Sequence, residues 1–353
     1  MDKRKGEQGA MSLEDWLNKR WYPASADGAG SGSHLPLLAP LEMAFRHGSR
    51  WRKQRNQPAP LTVPVIVVGN VTVGGVGKTP LVAELGRWLQ ERGHKPGIIS
   101  RGYGGRARHY PYNVTAQSHP LESGDEPLML HLMTGLPVMV SPKRVEAAEA
   151  LVSEHGCDVI LSDDGLQHYG LWRSLEICVL DGQRGLGNEH LLPRGPLRES
   201  PERLNDVDMV VVNGAPSELV LSQCGEHIDF TMEVVPSRWH QFNLDQTSTL
   251  KLESGPDIGP CHGVAAIGNP QRFFSALRNL GYTVMEMAFP DHHQFSQQEL
   301  QLDGMTPVIM TMKDAVKCRD FWQGHWWALE ATAQLPDLFY QRIYQHIENF
   351  KLA

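Results

Sequence analysis

From Val63 onward, short wholly apolar runs alternate with stretches whose apolar residues recur at helical spacing. The runs at 64–68, 97–100, 138–140, 159–161, 177–180 and 209–212 read as strands buried on both faces. Between several of them the 3.6-residue period predicts helices, near 80–92, 127–133 and 143–154. Apolar strands alternating with helices imply an α/β layered domain with a largely parallel sheet. Residues 227–235 alternate apolar and polar instead, which predicts an antiparallel strand within a β-ribbon connector over 215–260. The α/β pattern then resumes. It gives a strand at 263–267, a turn at Gly268-Asn269-Pro270, a helix to about residue 280 and a strand at 283–287. Further strands at 307–310 and 326–329 and a last helix near 337–348 complete a smaller domain, 261–353, whose final helix is free to pack back on the core. The core itself is read as 57–214, and no solenoid-type repeat is present.

The pattern before Val63 is different. Residues 1–34 read as a flexible N-terminal extension, rich in Gly, Ser and Ala near its end. Residues 35–56 join an apolar stretch to a basic one: Arg46, Arg50, Arg52, Lys53 and Arg55, with Trp51 among them and no acid between 46 and 55. Two readings stand. One is a helix packed on the core with a solvated basic face; the other is a segment resting at the headgroup boundary of an anionic membrane surface. Pro36 and Pro40 argue against a long regular helix here.

Composition narrows the function classes. The 353 residues, 41% hydrophobic and 21% charged, suit an ordinary globular chain with a substantial core. A net charge of −7 argues against general nucleic-acid binding, and no segment marks a protein partner. Five scattered cysteines without a CxxC pair fit a reducing compartment. No apolar run is long enough to span a bilayer, and the polar start does not resemble a secretory signal. A cytosolic protein, or one attached to the cytosolic side of a membrane, is expected.

Thr72-Val73-Gly74-Gly75-Val76-Gly77-Lys78-Thr79 follows an apolar strand and opens a helix. Its Gly-Lys-Thr ending is the phosphate-binding Walker A pattern, with Thr72 where the pattern has its first Gly. Backbone amides of Gly75, Val76 and Gly77 would surround nucleotide phosphates at a helix N-terminus. Lys78 would reach the β- and γ-phosphates, and the Thr79 hydroxyl would ligate Mg²⁺. The fold expected is therefore a P-loop NTPase-like α/β domain with a smaller α/β C-terminal domain joined by a β-ribbon. A second apolar strand ends in Asp163 and Asp164, where a carboxylate can meet the same metal; the bland alternative is that both acids cap a turn.

The stretch 161–199 contains DDG-x-QH, then D-x-x-RG-x-GN, then LLP-x-GPLRE. It resembles the tetraacyldisaccharide 4'-kinases of Gram-negative bacteria, the kinases of lipid A biosynthesis. The resemblance extends to VGNVTVGGVGKTPLV (68–82), SRGYGG (100–105), GDEP (124–127), IGNPQRFF (267–274), FPDHHQF (289–295) and TMKDAVK (311–317), and so spans about 35–350. Thr72 is itself typical of that family.

The resemblance implies transfer of the ATP γ-phosphate to the 4'-hydroxyl of tetraacyldisaccharide 1-phosphate, at the cytoplasmic face of the inner membrane. It gives the proton-acceptor role to Asp125 with His292, or with His293, which spacing does not separate. On residues alone, Asp125 reads as a helix cap and His292 as a turn residue. The two lie in different expected domains, so domain closure would have to join them. Arg144 and Arg198 are implied as phosphate contacts, and Glu199 with Asp164 as partners of Thr79 at Mg²⁺. Arg101, Tyr103, Gly104, His168 and Asn188 are implied around the lipid headgroup, and Lys313 and Asp314 near the nucleotide or in a surface ion pair. Leu37, Leu38, Leu41, Met43 and Phe45 would dip into the acyl boundary.

Overall fold

The computed structural model describes residues 13–22, 35–56, 58–242, 249–252 and 254–350. Most of the expected N-terminal extension, 1–12 and 23–34, lies outside the described residues, as do 243–248 and 253 of the expected connector. Helix α1 (Leu13–Trp21) precedes α2 (Ala39–Arg55), a regular helix of 17 residues. The expectation that Pro36 and Pro40 would prevent such a helix is overturned. Pro36 opens a short 3₁₀ turn and Pro40 falls in the first turn of α2, where its missing N–H has no helical partner to lose.

The body then runs β1 (Val65–Gly69), α3 (Lys78–Glu91), β2 (Pro96–Ser100), β3 (Tyr112–Val114), α4 (Pro120–Ser123), α5 (Asp125–Thr134), β4 (Val138–Val140), α6 (Arg144–His155), β5 (Val159–Asp163), β6 (Leu175–Asp181), β7 (Met209–Asn213) and α7 (Glu218–Cys224). After it come β8 (Phe230–Phe242), β9 (Thr249–Leu252), β10 (Pro260–Ala265), α8 (Pro270–Asn279), β11 (Thr283–Ala288), β12 (Val308–Thr311), α9 (Met312–Cys318), β13 (Trp326–Gln334) and α10 (Asp337–Glu348). Strand β10 begins three residues earlier than the sequence pattern suggests, because Pro260 and Cys261 pair with Thr283 and Val284 of β11.

The strands form one sheet in the order β11-β10-β12-β13-β8-β7-β6-β1-β5-β2-β4-β3, with β9 paired to β8. Pairing is parallel except at β3–β4, β8–β9 and β8–β13. The long strand β8 changes partner along its length. Phe230–Met232 runs parallel to β7, and Glu233–His240 runs antiparallel to β13, with a register shift between Glu330 and Ala331. The strand expected to be antiparallel over 227–235 is therefore parallel in its first part, and the expected β-ribbon over 215–260 begins with the helix α7.

Both faces of the central strands are covered. Ile66 and Val68 enter one core with α3 and α5, and Val65 and Val67 enter another with α6. This explains the unbroken apolar run, since period-2 side chains meet apolar layers on both sides. The first core also takes in Val264, Val308, Trp326, Phe339 and Ile343. The final helix α10 returns to α3, where Trp88 and Tyr340 stack at 5.1 Å between ring centroids. Register pairs Val68 of β1 with Asp163 of β5, so the loop after β1 and the acidic end of β5 emerge side by side at the carboxyl ends of parallel strands.

Candidate active site

The loop from Asn70 to Gly77 is strapped along its first half. Val73 N–H donates to Pro196 O at 2.9 Å, and Arg198 N–H to Val71 O at 2.7 Å. Thr72 is buried and forms an isolated antiparallel bridge with Leu197. That extended setting suits a threonine and needs no glycine. Gly74 and Gly77 do need their identity: both have positive φ, 103° and 98°. A Cβ on Gly77 would lie 2.7 Å from Asn213 Nδ2, whereas one on Gly75 would meet nothing within 4 Å. Gly75 therefore lines open space, the side on which a phosphate can approach the backbone. Asn213, at the end of β7, donates to Val76 O at 3.0 Å and fixes the last turn of the loop.

Lys78 opens α3, and its Nζ lies 3.1 Å from Asn70 Oδ1 and 3.4 Å from Asp164 Oδ1. Arg198 Nη1 donates to both Asp164 oxygens, at 3.1 and 3.0 Å. Burial alone would raise the Asp164 carboxyl, but the charges of Lys78 and Arg198 outweigh it and hold it down to about 2. Asp163 is the opposite case. It is buried, and desolvation first, then the charges of Glu126 and Asp164, push it up to about 7.

The Thr79 hydroxyl donates to Asp163 Oδ2 at 3.3 Å, while Asp163 Oδ1 is buried without a partner. An orphaned, half-neutralised carboxylate oxygen beside a hydroxyl suits a divalent cation that completes its shell with phosphate oxygens and water. Among the described residues there is no cluster of three His, Cys, Asp or Glu, so a metal here has few protein ligands, as Mg²⁺ tolerates.

Opposite this wall, Gly124 has φ +87° and caps α5, whose first residues are Asp125 and Glu126. His292 comes from the 289–295 turn and has φ +61°. Its Nδ1 lies 3.7 Å from Asp125 Oδ2, and its ring centroid is 5.3 Å from that of Tyr103. His293 turns elsewhere, pairing with Glu299 at 3.1 Å and stacking on Phe289. The pair is thus already within ion-pair range in this conformation. The Gly-rich 100–105 loop leans on the same place: a Cβ on Gly105 would lie 2.5 Å from Gly124 N. Tyr103 is exposed, and Gly104 has φ +79° with open space around it.

Several other residues fall in places the sequence does not suggest. Arg144 is buried, and its guanidinium donates to Ser162 Oγ at 2.8 Å and to the Asp164 carbonyl at 2.9 Å. These bonds brace the acidic strand end and leave the buried Arg144 Nε without a partner. Glu199 is likewise committed. Gln167 donates to one oxygen at 2.8 Å, and Tyr169 and Arg203 engage the other. It orients Gln167, whose side chain also donates to Asn70 O.

Asn188 is spent within its own loop and on α1. Its amide donates to Arg194 O and Arg20 O, and its carbonyl accepts from His190 N. His168 lies near Arg144, Arg173 and Arg101. Burial and then these cations push its imidazole down to about 4, so it is neutral at physiological pH. Lys313 and Asp314 do not pair with each other. Lys313 meets Glu126 and Asp291, and Asp314 meets Lys317 inside the protein.

Four polar residues at the loop escape sequence reasoning. Asn70 and Gln167 fix Lys78 and the acidic turn. Asn213 holds Val76, and Arg272 of α8 donates to Asn213 Oδ1 at 3.0 Å. The only hint in the chain is a polar residue at the end of an apolar run. Gly268 also closes over the site, since its Cβ position lies 4.0 Å from Gly75 N.

A family model described as tetraacyldisaccharide-1-P 4'-kinase matches residues 34–348. The tetraacyldisaccharide 4'-kinase of Hahella chejuensis is 45% identical over 338 residues, covering 93% of this chain and 95% of the relative. That of Alkalilimnicola ehrlichii is 50% identical over 275 residues, covering 78% and 79%. Among solved structures, LpxK from Aquifex aeolicus in complex with ATP is similar at a TM-score of 0.69 and 25% identity, covering 88% of this chain and 99% of that one. With a family match running from the start of the apolar segment to the last helix, the chain belongs to the tetraacyldisaccharide 4'-kinase family, the phosphotransferases of lipid A biosynthesis.

Proposed function

We propose that Asp125, assisted by His292, takes the proton of the 4'-hydroxyl as the γ-phosphate of ATP passes to tetraacyldisaccharide 1-phosphate. The observation that carries this reading is the 3.7 Å approach of His292 Nδ1 to Asp125 Oδ2, made by residues 167 apart in the chain. Asp125 lies in the first turn of α5 and faces His292 from there. His292 orients that carboxylate and shares the developing charge. Gly75, Val76 and Gly77 receive the nucleotide phosphates on their amides, with Lys78 beside them. Thr79 and Asp163 would hold Mg²⁺, which when bound neutralises phosphate charge. Arg198 keeps Asp164 ionised next to Lys78, and Arg144 and Glu199 support that constellation from behind. Arg101, Tyr103 and Gly104 offer an open rim for the saccharide and its 1-phosphate. Transfer of ³²P from labelled ATP to the lipid tests the proposal. Asp125→Ala and Lys78→Ala should each lower it by at least about 100-fold. Hydrolysis of ATP without labelled lipid by the wild type would overturn it.

We place the enzyme on the cytoplasmic face of the inner membrane, resting on its anionic surface. Among the described residues no helix is long and apolar enough to cross a membrane. Helix α2 and the turn before it expose Leu37, Leu41, Met43 and Trp51, close in sequence to Arg50, Arg52, Lys53 and Arg55. Phe45 does not join them, since it packs on the inner core, and Leu38 is half-buried. Leu37→Asp with Leu41→Asp should remove binding to anionic vesicles and leave ATP binding intact. Equal vesicle binding by the variant would overturn this placement.

A further inference from the structure

Lys313 stands in the first turn of α9 with its side chain 15% exposed. Its Nζ lies 3.2 Å from Glu126 Oε1 and 3.4 Å from Asp291 Oδ1. These two acids are the immediate chain neighbours of Asp125 and His292. Asp291 Oδ1 also accepts the His292 backbone N–H at 2.9 Å and lies 3.9 Å from His292 Nε2. One ammonium group therefore touches the residue after Asp125 and the residue before His292 at once.

We infer that Lys313 is a positioning residue for phosphoryl transfer: it spans from α5 to the 289–295 turn and fixes the alignment of Asp125 with His292. The inference rests on the proton-acceptor reading of that pair. Two features of the turn call for such a tie. His292 carries a left-handed backbone conformation, which a non-glycine residue keeps only where its surroundings over-determine it. Its ring is also 41% exposed, so packing alone does not fix it.

The base of the tie is firm. Asp314 and Lys317 pair at 2.7 Å, both fully buried, and Asp314 also accepts from Ala266 N at 3.0 Å. Burial would lower the Lys313 ammonium, but Glu126 and Asp291 outweigh it and raise it above the usual lysine value. It stays charged throughout the working pH range. The charged groups around the acceptor pair include Glu126 on α5, Asp291 on the turn and Lys313 on α9, with Asp163 at the end of β5 within reach of the Glu126 charge. Tyr103 lies against the ring, His293 is engaged with Glu299, and Asp314 and Lys317 neutralise each other.

The test measures ³²P transfer from ATP to tetraacyldisaccharide 1-phosphate, from pH 5.5 to 8.5, for wild type, Lys313→Met, Lys313→Arg, Asp125→Asn and Asp291→Asn. Lys313→Met should lower kcat about 10- to 100-fold while KM for ATP stays within about twofold, because alignment is lost and the nucleotide loop is not. Its acid limb should move up by about half a pH unit, since a cation beside the acceptor pair is gone. Lys313→Arg should recover most of kcat and restore the limb. Asp291→Asn removes an anion from the same place, so its limb should move down; this variant carries the test if Lys313→Met does not fold. An unshifted limb with wild-type kcat in Lys313→Met, or an unshifted limb in Asp291→Asn, overturns the inference. So does a rise in KM for ATP that accounts for the whole loss. Near-wild-type transfer by Asp125→Asn instead defeats the acceptor reading beneath it, whatever Lys313 does.

Discussion

Thr79 and Asp163 share a hydrogen bond of 3.3 Å, and the second Asp163 oxygen, buried, has no partner at all. The ordinary value of such a carboxyl is 3.8, and here it is pushed up to about 7. An acid raised in this way contributes stability that is complete below its unfolded pKa and is lost as pH climbs through the folded one. The metal-free protein should therefore lose stability between about pH 4 and pH 7. Mg²⁺ must displace the proton, so the rise in Tm that it produces should grow from pH 6 to pH 8. Asp163→Asn should abolish both effects, stabilise the metal-free protein at pH 8 by on the order of 1 kcal/mol, and lose most transfer activity. Thermal melts with and without Mg²⁺ across that range check it; a pH-independent Mg²⁺ effect in the wild type would contradict it.

The two glycines at the tip and base of the phosphate loop should behave differently. Gly77→Ala forces a Cβ against Asn213 Nδ2 at positive φ, and should cost about 1–3 kcal/mol of stability. Gly75→Ala meets nothing in the protein, so its Tm should match wild type while KM for ATP rises about tenfold or more. Melting curves beside steady-state kinetics separate the two.

Arg272 reaches from α8 to Asn213, which in turn holds Val76. Arg272→Ala should raise KM for ATP several-fold with a smaller change in kcat, since it loosens the loop that receives the phosphates and not the acceptor pair. Kinetics at varied ATP decide this, and an unchanged KM would contradict it.

Glu42 is the only buried residue of α2. It accepts from Leu191 N at 3.3 Å, from Arg194 Nη1 at 3.2 Å and from Arg46 Nη2 at 3.2 Å. Glu42→Gln removes a buried charge from two arginines and should destabilise the chain by about 1–3 kcal/mol. Amide exchange should quicken across 39–55 before the rest of the protein is affected.

The strands β1, β2, β4, β5, β6 and β7 were legible because both their faces are buried, whereas the short edge strand β3 and the helix α7, which lies in the stretch read as a β-ribbon, were not. Residues 138–140 form a strand and 337–348 a helix as the apolar pattern indicates. The helix over 39–55 was not legible, because a proline argues against a helix only when its position within the helix is known. The phosphate loop and the acidic strand end were readable from spacing, since their chemistry uses neighbours in sequence. Asn70, Gln167, Asn213 and Arg272 were not, because each gains its role from a partner brought close only by the sheet. Arg144, Glu199 and Asn188 illustrate the reverse. A motif marks them as belonging to the site, and the fold adds the partners that each one holds there.

The strand β8 joins the two stretches of the sheet. Its first residues lie along β7, its later ones along β13, and Pro236, which has no amide hydrogen to offer, faces Ala331 at the register shift. One continuous strand, and one hydrophobic core that holds Ile66 as well as Trp326 and Phe339, therefore tie the later strands to the earlier ones. The stretch of β8 that runs along β7 ends at Met232, paired with Asn213, and so at the rim of the phosphate cradle. A substitution that shifts Met232 therefore reaches Val76 through Asn213, one contact away from the amides that face the nucleotide.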